Sequence, residues 1–117
     1  MALLDLDRFK FVYYHNIQMK KINLPDVLAF DWDQGNLEHI KKHNVEYNEC
    51  EDIFYNDPIY FEDPKHSRVE ERFLTYGVTN EERLLTIVFT IRNKKVRVIS
   101  ARNQNKKERE IYIANKK

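Results

Sequence analysis

The order of apolar and polar residues predicts a short strand followed by a helix around residue 30. Residues 27–32 are mostly apolar and suit a short strand. Asp33 follows where the first free N–H groups of a helix need an acceptor, so we expect it to be the N-cap. The residues that give this helix one face, up to an expected end at about His43, are Leu37, Ile40 and Lys41.

Asn44 suits the stop of the first helix because asparagine tolerates the left-handed conformation, and a second helix is predicted beyond it. Asp57 should end this second helix, since the residue before a proline is pushed out of the helical region. The predicted apolar side carries Tyr47, Cys50, Ile53 and Phe54. The predicted exposed side carries Glu49, Glu51 and Asp52.

The following residues have the pattern of an antiparallel sheet of about four strands. The third of these runs is β-branched and apolar nearly throughout, so we expect it to be central. A tight hairpin at residues 92–95 should join it to the fourth. The expected strands cover residues 59–62, 71–78, 84–91 and 96–101. In the second strand, alternation places Arg72, Leu74, Tyr76 and Val78 on one face and Phe73 and Thr75 on the other.

A final helix completes the predicted order of elements. Asn105 and Glu108 stand three residues apart and resemble a capping box, so we expect this helix to begin there and to run to about Ala114. Two helices, an antiparallel sheet and a closing helix make an α+β fold. The first 24 residues contain Phe9, Phe11, Tyr13 and Tyr14, which can add an edge strand or cover the sheet.

Composition limits the class of protein. A chain of 117 residues has room for one hydrophobic core. No apolar stretch approaches the roughly 18 residues that a membrane span needs. A lone cysteine, Cys50, excludes an internal disulfide and fits a reducing cytosol, so we expect a cytoplasmic protein.

Charge is unevenly distributed along the chain. Residues 1–82 carry 9 Lys/Arg against 17 Asp/Glu, whereas residues 83–117 carry 11 against 2. Such asymmetry favours an anionic partner for the basic part, although the two parts can also attract each other within the fold. The acidic part is a second candidate docking surface.

Several blocks of the sequence together resemble one known family. They are residues 30–43 (FDWDQGNLEHIKKH), 70–72 (EER), 76–77 (YG), 83–90 (RLLTIVFT), 97–102 (RVISAR) and 106–109 (KKER) with Tyr112. In this order they resemble the BrnT family of bacterial toxins over about residues 28–115. The resemblance implies a RelE-like fold for residues 28–117 and leaves residues 1–27 as an N-terminal extension, with Met19 as an alternative start.

The sequence departs from the family pattern in two places. Asn44 stands where most members have glycine, which capping preferences tolerate. Gly35 and Asn36 stand where many members have a lysine, in an opening one residue shorter. If that lysine binds substrate in other members of the family, its absence favours a loss of activity in this chain.

RNA cleavage without a metal needs a base, an acid and fixed cations around the phosphate. Histidine suits the proton transfers and arginine suits the phosphate, because a guanidinium donates two parallel hydrogen bonds. The resemblance directs this chemistry to a catalytic set of His43, Arg72, Arg97 and Arg102. The expected RNA-binding residues are Lys42, Arg83, Lys106 and Lys107, and further acid–base candidates are His66 and Glu71.

Geometry and simpler roles compete with this assignment. Strict alternation puts Arg97 and Arg102 on opposite faces of their strand, so they can converge only through a bulge or at the strand end. Each arginine can equally form a structural ion pair, with Glu70 or Glu71 as the expected mate of Arg72. His43 can simply cap a helix end. Trp32, Tyr76 and Tyr112 can stack on bases but suit core packing better.

A metal site is not expected. His39 and His43 have a zinc-compatible spacing, but no glutamate follows His39 and no third ligand is evident.

The resemblance implies an endoribonuclease toxin of a type II toxin–antitoxin system that needs no cofactor and inhibits translation. Its implied partners are RNA and a BrnA-like ribbon-helix-helix antitoxin, which forms a hetero-oligomer with the toxin and alone contacts operator DNA. The alternative is a catalytically degenerate module of the same fold that binds RNA or a protein partner. A metal-dependent hydrolase is a third hypothesis.

Overall fold

The computed structural model describes residues 11–14, 17–22, 29–63 and 70–116. The elements, in chain order, are β1 (Phe11–Tyr14), β2 (Ile17–Ile22), α1 (Gln34–Lys41), α2 (Tyr47–Tyr55), β3 (Ile59–Glu62), β4 (Phe73–Val78), β5 (Leu84–Arg92), β6 (Lys95–Asn103) and α3 (Lys106–Lys116). Every strand pairs antiparallel with the next, so the sheet has the order β1-β2-β3-β4-β5-β6. The predicted α+β fold is confirmed: two helices, four antiparallel strands and a closing helix are all present. The N-terminal part adds two further strands, one of the two alternatives that its sequence leaves open.

The predicted strand at residues 27–32 is wrong in its described part. Phe30 forms only an isolated parallel bridge with Val96 of β6, through hydrogen bonds that flank it. Pairing stops there because α1 takes over the edge of β6: the Asn36 side chain donates to the carbonyl of Val98 at 3.3 Å. Residues 27 and 28 lie outside the described residues.

Helix α1 begins at Gln34 with Asp33 as its N-cap, as predicted, and the Asp33 carboxylate accepts the N–H of Asn36. Its last residue is Lys41, and Asn44 adopts a left-handed conformation with φ 57°, as expected of a helix stop. The inward face differs from the prediction, because Lys41 is exposed while Asn36 and Ile40 are buried. A buried asparagine is tolerated there because its side-chain amide is hydrogen-bonded to backbone groups of the segment before α1 and of β6.

Helix α2 buries Cys50, Ile53 and Phe54 as predicted and ends at Tyr55. Tyr47 was predicted to share that apolar side but is half exposed. The side of α2 that was predicted to be exposed is not fully exposed: its three carboxylates are partly buried and accept hydrogen bonds. Glu49 accepts from Arg83, Glu51 from Trp32 and Asp52 from the N–H of Asn80.

The sheet is covered on both sides, and the predicted alternation of β4 is confirmed. Phe73 faces the core under α1 and α2, which also contains Phe89 and Val98. Tyr76 faces a second core under α3, where it packs with Ile111. The central position predicted for β5 is confirmed, because β5 pairs with β4 through residues 84–89 and with β6 through residues 85–92.

The turns and the final helix follow the sequence pattern. Asn93 and Lys94 form the hairpin turn between β5 and β6 with φ 51° and 65°, the left-handed pair that a two-residue hairpin requires. Asn105 and Glu108 form the predicted capping box, each accepting the other's N–H at 2.8–2.9 Å. Helix α3 runs to Lys116, two residues beyond the predicted end.

Candidate functional site

A β-bulge in β6 brings two of the predicted arginines to one face of the sheet. Val98 pairs with Phe89 and Ser100 pairs with Val88, so Ile99 is the extra residue. Val98 and Ala101 consequently both point into the core under α1 and α2. Arg97 and Arg102 therefore point to the opposite face, where alternation without a bulge would separate them.

Arg72 belongs to the same face. It stands directly before β4, and alternation groups it with Leu74 and Tyr76, which pack on the α3 side. Between the arginines lie Val88 and Ser100, which are half-buried and directly paired. We call the surface formed by Arg72, Arg97, Arg102, Val88 and Ser100 the arginine face. Arg97 and Arg102 stand roughly 13 Å apart along the strand, the length of about four residues.

Arg97 is held by two carboxylates at the start of α1. Its guanidinium contacts Asp33 at 2.9 Å and 3.2 Å and Asp31 at 3.7 Å, and its side chain is only 16% exposed. Hydrogen bonding by Arg97, followed by the N–H of Asn36, lowers the pKa of Asp33. Arg97 is thus a fixed cation whose nearest partners are anions.

Arg102 is oriented by a buried carboxylate. It donates to both oxygens of Glu108, at 2.6 Å and 2.9 Å, and the Glu108 side chain is 3% exposed while that of Arg102 is 43% exposed. Burial raises the pKa of Glu108, but hydrogen bonds from Arg102 and the N–H of Asn105 outweigh it and lower the pKa overall. The arrangement fixes a guanidinium while leaving much of its side chain accessible.

A shallow cleft of about 170 Å³ adjoins Arg97 between α1 and β6. Its lining residues are Gly35, Asn36, His39, Arg97, Val98 and Ile99. His39 is exposed and lies one helical turn beyond Asn36. In the sequence, His39 was a candidate only for a metal site. The structure shows it as a further polar group in the cleft beside Arg97.

The predicted catalytic His43 lies near the other end of β6. It is exposed in the turn after α1, and its carbonyl accepts from Arg83 at 3.3 Å. Arg83 also donates to the side chain of Asn103, whose carbonyl accepts from Arg102. A chain of hydrogen bonds therefore connects His43 to Arg102, whereas Arg97 stands apart from both.

Arg83, predicted to bind RNA, has its guanidinium occupied within the protein. All three of its nitrogens donate, to Asn103, to Glu49 and to the carbonyls of His43 and Asn44. Its partners join three segments: the turn after α1, helix α2 and the end of β6. This is the geometry of a structural clamp.

The remaining predicted residues are spread around the sheet. Lys42 is exposed beside His43, and Lys106 and Lys107 are exposed in the first turn of α3, just beyond Arg102. Glu71 is exposed, and its carbonyl accepts from Thr90. His66 lies outside the described residues.

Glu70 accepts hydrogen bonds from an unexpected partner, Arg92. Both of its oxygens accept from Arg92, at 2.6 Å and 3.0 Å, and this hydrogen bonding is the main cause of its lowered pKa. The charge of Arg72 lowers the same pKa further. The expected ion pair of Arg72 with Glu70 or Glu71 stays a prediction.

The aromatic candidates have packing roles. Tyr76 and Tyr112 are buried in the core under α3, and Trp32 packs against the other core while donating to Glu51 at 2.9 Å. Sequence reasoning missed Glu108 as the carboxylate that orients Arg102. The capping box at Asn105 marked its position, but only the fold brings it to Arg102.

Among the residues that the structure describes, no three His, Cys, Asp or Glu side chains are grouped as metal ligands. No helix in this part of the chain is long and apolar enough to cross a membrane.

Comparison with known proteins adds one match. A family model described as the ribonuclease toxin BrnT of type II toxin–antitoxin systems matches residues 32–108, more than half of the chain. These residues include α1 and the arginine face. No curated protein matches the chain.

Proposed function

The chain belongs to the BrnT family of ribonuclease toxins of type II toxin–antitoxin systems, and we propose that it is itself an active, metal-independent endoribonuclease. By cutting RNA in the cytoplasm it stops translation, and a BrnA-like antitoxin neutralises it. The observation that carries the proposal is the arginine face. Three arginines on one surface, of which Arg97 and Arg102 are held by carboxylates, supply the positive charge that a crowded phosphate needs.

The proposed reaction is an internal transesterification. A base takes the proton of the 2′-hydroxyl, and the 2′-oxygen attacks the adjacent phosphorus. The bond from phosphorus to the 5′-oxygen breaks, and an acid protonates that oxygen. The products are a 2′,3′-cyclic phosphate and a 5′-hydroxyl end. Arginines contribute by binding the phosphate oxygens as negative charge accumulates on them.

We assign roles by position. Arg97 and Arg102 of β6 bind phosphates of one RNA chain, and Arg72, just before β4 and on the far side of β5, supports them. Lys42, Lys106 and Lys107 contact flanking phosphates at the end of β6 where Arg102 lies. His43 is the acid–base candidate at that end, and His39 is the one beside Arg97. His66 and Glu71 are the remaining acid–base candidates.

The antitoxin of this pair is proposed to be a ribbon-helix-helix protein. It forms a hetero-oligomer with the toxin, covers its basic surface and alone contacts operator DNA. The acidic and basic parts of the chain give such a partner two surfaces of opposite charge to recognise.

The test is controlled expression in bacteria together with cleavage by purified protein in the presence of a chelator. The wild type should arrest growth and degrade RNA, and coexpression of the adjacent antitoxin gene should relieve both effects. Arg97→Ala and Arg102→Ala should each lower kcat/KM by about 10²-fold to 10³-fold, as expected when a transition-state cation is removed. Lys94→Ala, in the exposed turn between β5 and β6, is the matched control and should retain full activity.

Two results would refute the proposal. One is a folded wild type that binds but does not cut RNA, and the other is cleavage abolished by the chelator and restored by a divalent metal. Melting curves and circular dichroism of each variant distinguish lost chemistry from lost folding.

One observation favours the second candidate, a non-catalytic binding module. Arg97 is mostly buried against Asp31 and Asp33, as in a structural ion pair. For such a module, Arg102→Ala would weaken RNA binding while no variant, including the wild type, would produce cyclic phosphate ends.

A further inference from the structure

The outer side of α2 carries a row of exposed aromatic rings around one carboxylate. Tyr47, Glu51 and Tyr55 follow each other at intervals of four residues and so share one face of the helix. Trp32 and Phe30, from the segment before α1, lie against this row. We call these five residues the aromatic strip.

The strip is both exposed and rigidly built. Tyr47 and Tyr55 are 50% and 61% exposed, and among the described residues the other large hydrophobic side chains that are exposed are Ile91 and Ile113. Tyr47 packs edge-to-face on Trp32 with ring centres 6.2 Å apart, and Tyr55 packs similarly on Phe30 at 6.1 Å. Rings held in this way lose little conformational entropy when a partner covers them, which is typical of interface anchors.

Charge determines which partner suits the strip. Glu51 lies between the two tyrosines and accepts a hydrogen bond from the indole of Trp32. Helix α2 carries Glu49, Glu51 and Asp52 and has no basic residue. A carboxylate flanked by tyrosine faces attracts a guanidinium or ammonium group through both its charge and the ring electrons. The same charge repels a nucleic acid backbone.

Position separates this surface from the proposed RNA site. Helix α2 packs on the core that contains Val98 and Ala101, so it covers the side of the sheet opposite the arginine face. The end of the strip at Phe30 and Trp32 flanks Asp31, which contacts Arg97 at 3.7 Å. An occupant centred on Glu51 and the two tyrosines therefore adds affinity for a partner while leaving Arg102 open to RNA.

We propose that the aromatic strip docks a positively charged segment of the antitoxin, with a Lys or Arg side chain seated over Glu51 between Tyr47 and Tyr55. The antitoxin follows from the family of the chain, and the positive charge of its docking segment follows from the strip. The inference rests on the toxin–antitoxin part of the proposed function and is independent of the cleavage mechanism.

The experiment is calorimetric titration of the purified chain with the protein encoded by the adjacent antitoxin gene, at low and high salt. The variants are Glu51→Gln and the double variant Tyr47→Ala with Tyr55→Ala. Glutamine keeps an oxygen for the Trp32 indole while removing the charge. Matched controls are Glu81→Gln, an exposed carboxylate in the turn before β5, and Ile113→Ala, an exposed apolar residue of α3.

We expect the double tyrosine variant to raise Kd at least about tenfold, because exposed aromatic anchors dominate many interfaces. Glu51→Gln should raise Kd by about fivefold at low salt and by less at high salt, since screening weakens the lost ion pair. Both controls should bind like the wild type. Every variant should keep the wild-type rate of RNA cleavage.

Unchanged Kd in the tyrosine and Glu51 variants would overturn the proposal, as would an antitoxin that does not bind the wild type. A strip that instead binds RNA, or that mediates self-association lost in the tyrosine variant on sedimentation, would also overturn it. A chain that binds the antitoxin through the strip but does not cleave RNA would refute only the proposed ribonuclease activity.

Discussion

Arg97 and Arg102 lie on the same face of β6 although they are five residues apart. The bulge at Ile99 inserts one residue between them, so that Val98 and Ala101 both enter the core and the two arginines both leave it. Each guanidinium is then held by a different carboxylate, Asp33 for Arg97 and Glu108 for Arg102. A single extra residue thus creates the arginine face.

Deleting Ile99 should leave the protein folded. The shortened strand alternates regularly and keeps Val98 and Ala101 in the core, so we expect a loss of no more than about 2 kcal/mol in the free energy of unfolding. Deleting Thr75 from the regular strand β4 is the control, because it turns the following residues to the wrong face and should prevent folding. Urea unfolding followed by the fluorescence of Trp32 measures both. If the two deletions were equally disruptive, Ile99 would not be a surplus residue of the strand.

Asn36→Ala should destabilise the protein by about 2 kcal/mol. The buried amide donates to the carbonyls of Asp31 and Val98 and accepts the N–H of Asp33, and alanine leaves these groups without their partner. Gln34→Ala, at an exposed position two residues earlier on the helix, should change stability by less than about 0.5 kcal/mol. A small effect of Asn36→Ala would mean that water replaces the amide at this edge of β6.

The ion pair of Glu108 and Arg102 should make the free energy of unfolding fall at acidic pH. Because the folded pKa of Glu108 lies below the ordinary value of 4.5, the unfolded chain binds the proton more readily. The stabilisation is therefore complete above the ordinary pKa and is lost as the pH falls through the folded pKa. Glu108→Gln should cost about 1–3 kcal/mol near neutral pH and little in strong acid. Chemical unfolding at several pH values measures this, and parallel curves for the two proteins would contradict it.

Gly77→Ala should destabilise the protein by overpacking. A Cβ atom at Gly77 would lie 2.6 Å from the Ile53 side chain and 3.2 Å from Pro58, so β4 and α2 would have to separate. We expect a loss of about 1–3 kcal/mol in thermal unfolding. Gly35→Ala is the comparison, because the added Cβ meets only the end of the Asp33 side chain, and it should stay within about 1 kcal/mol of the wild type. Equal effects would show that the fold absorbs a methyl group at Gly77.

Cys50 should be chemically inert in the folded protein. Burial, followed by the charges of Glu49 and Glu51, raises the pKa of its thiol from 9.0 to about 12. The reactive thiolate is then about a thousandfold rarer than in a free cysteine. A thiol reagent in mildly alkaline buffer should modify Cys50 only after denaturation. Rapid labelling of the native protein would show that this part of the core opens readily.

Local patterns in the sequence already determined most elements of the fold. Asp33 as a cap, Asn44 as a stop and the alternation around Tyr76 depend on neighbours within a few residues, so they can be deduced without a fold. The prediction failed where the outcome depends on a distant part of the chain. Residues 27–32 have the pattern of a strand, but Phe30 forms only one bridge because α1 occupies the rest of the β6 edge.

The arrangement of the site was decided by tertiary structure. The sequence pointed to Arg97 and Arg102, and strand alternation showed that only a bulge or the strand end could bring them to one face. Whether a bulge forms depends on how β6 pairs with β5 and on which residues pack into the core. The partners of these arginines, Asp33 at a separation of 64 residues and Glu108 across the start of α3, are brought close only by folding. Residue types and spacing therefore specify the chemistry available, whereas long-range packing specifies which groups meet.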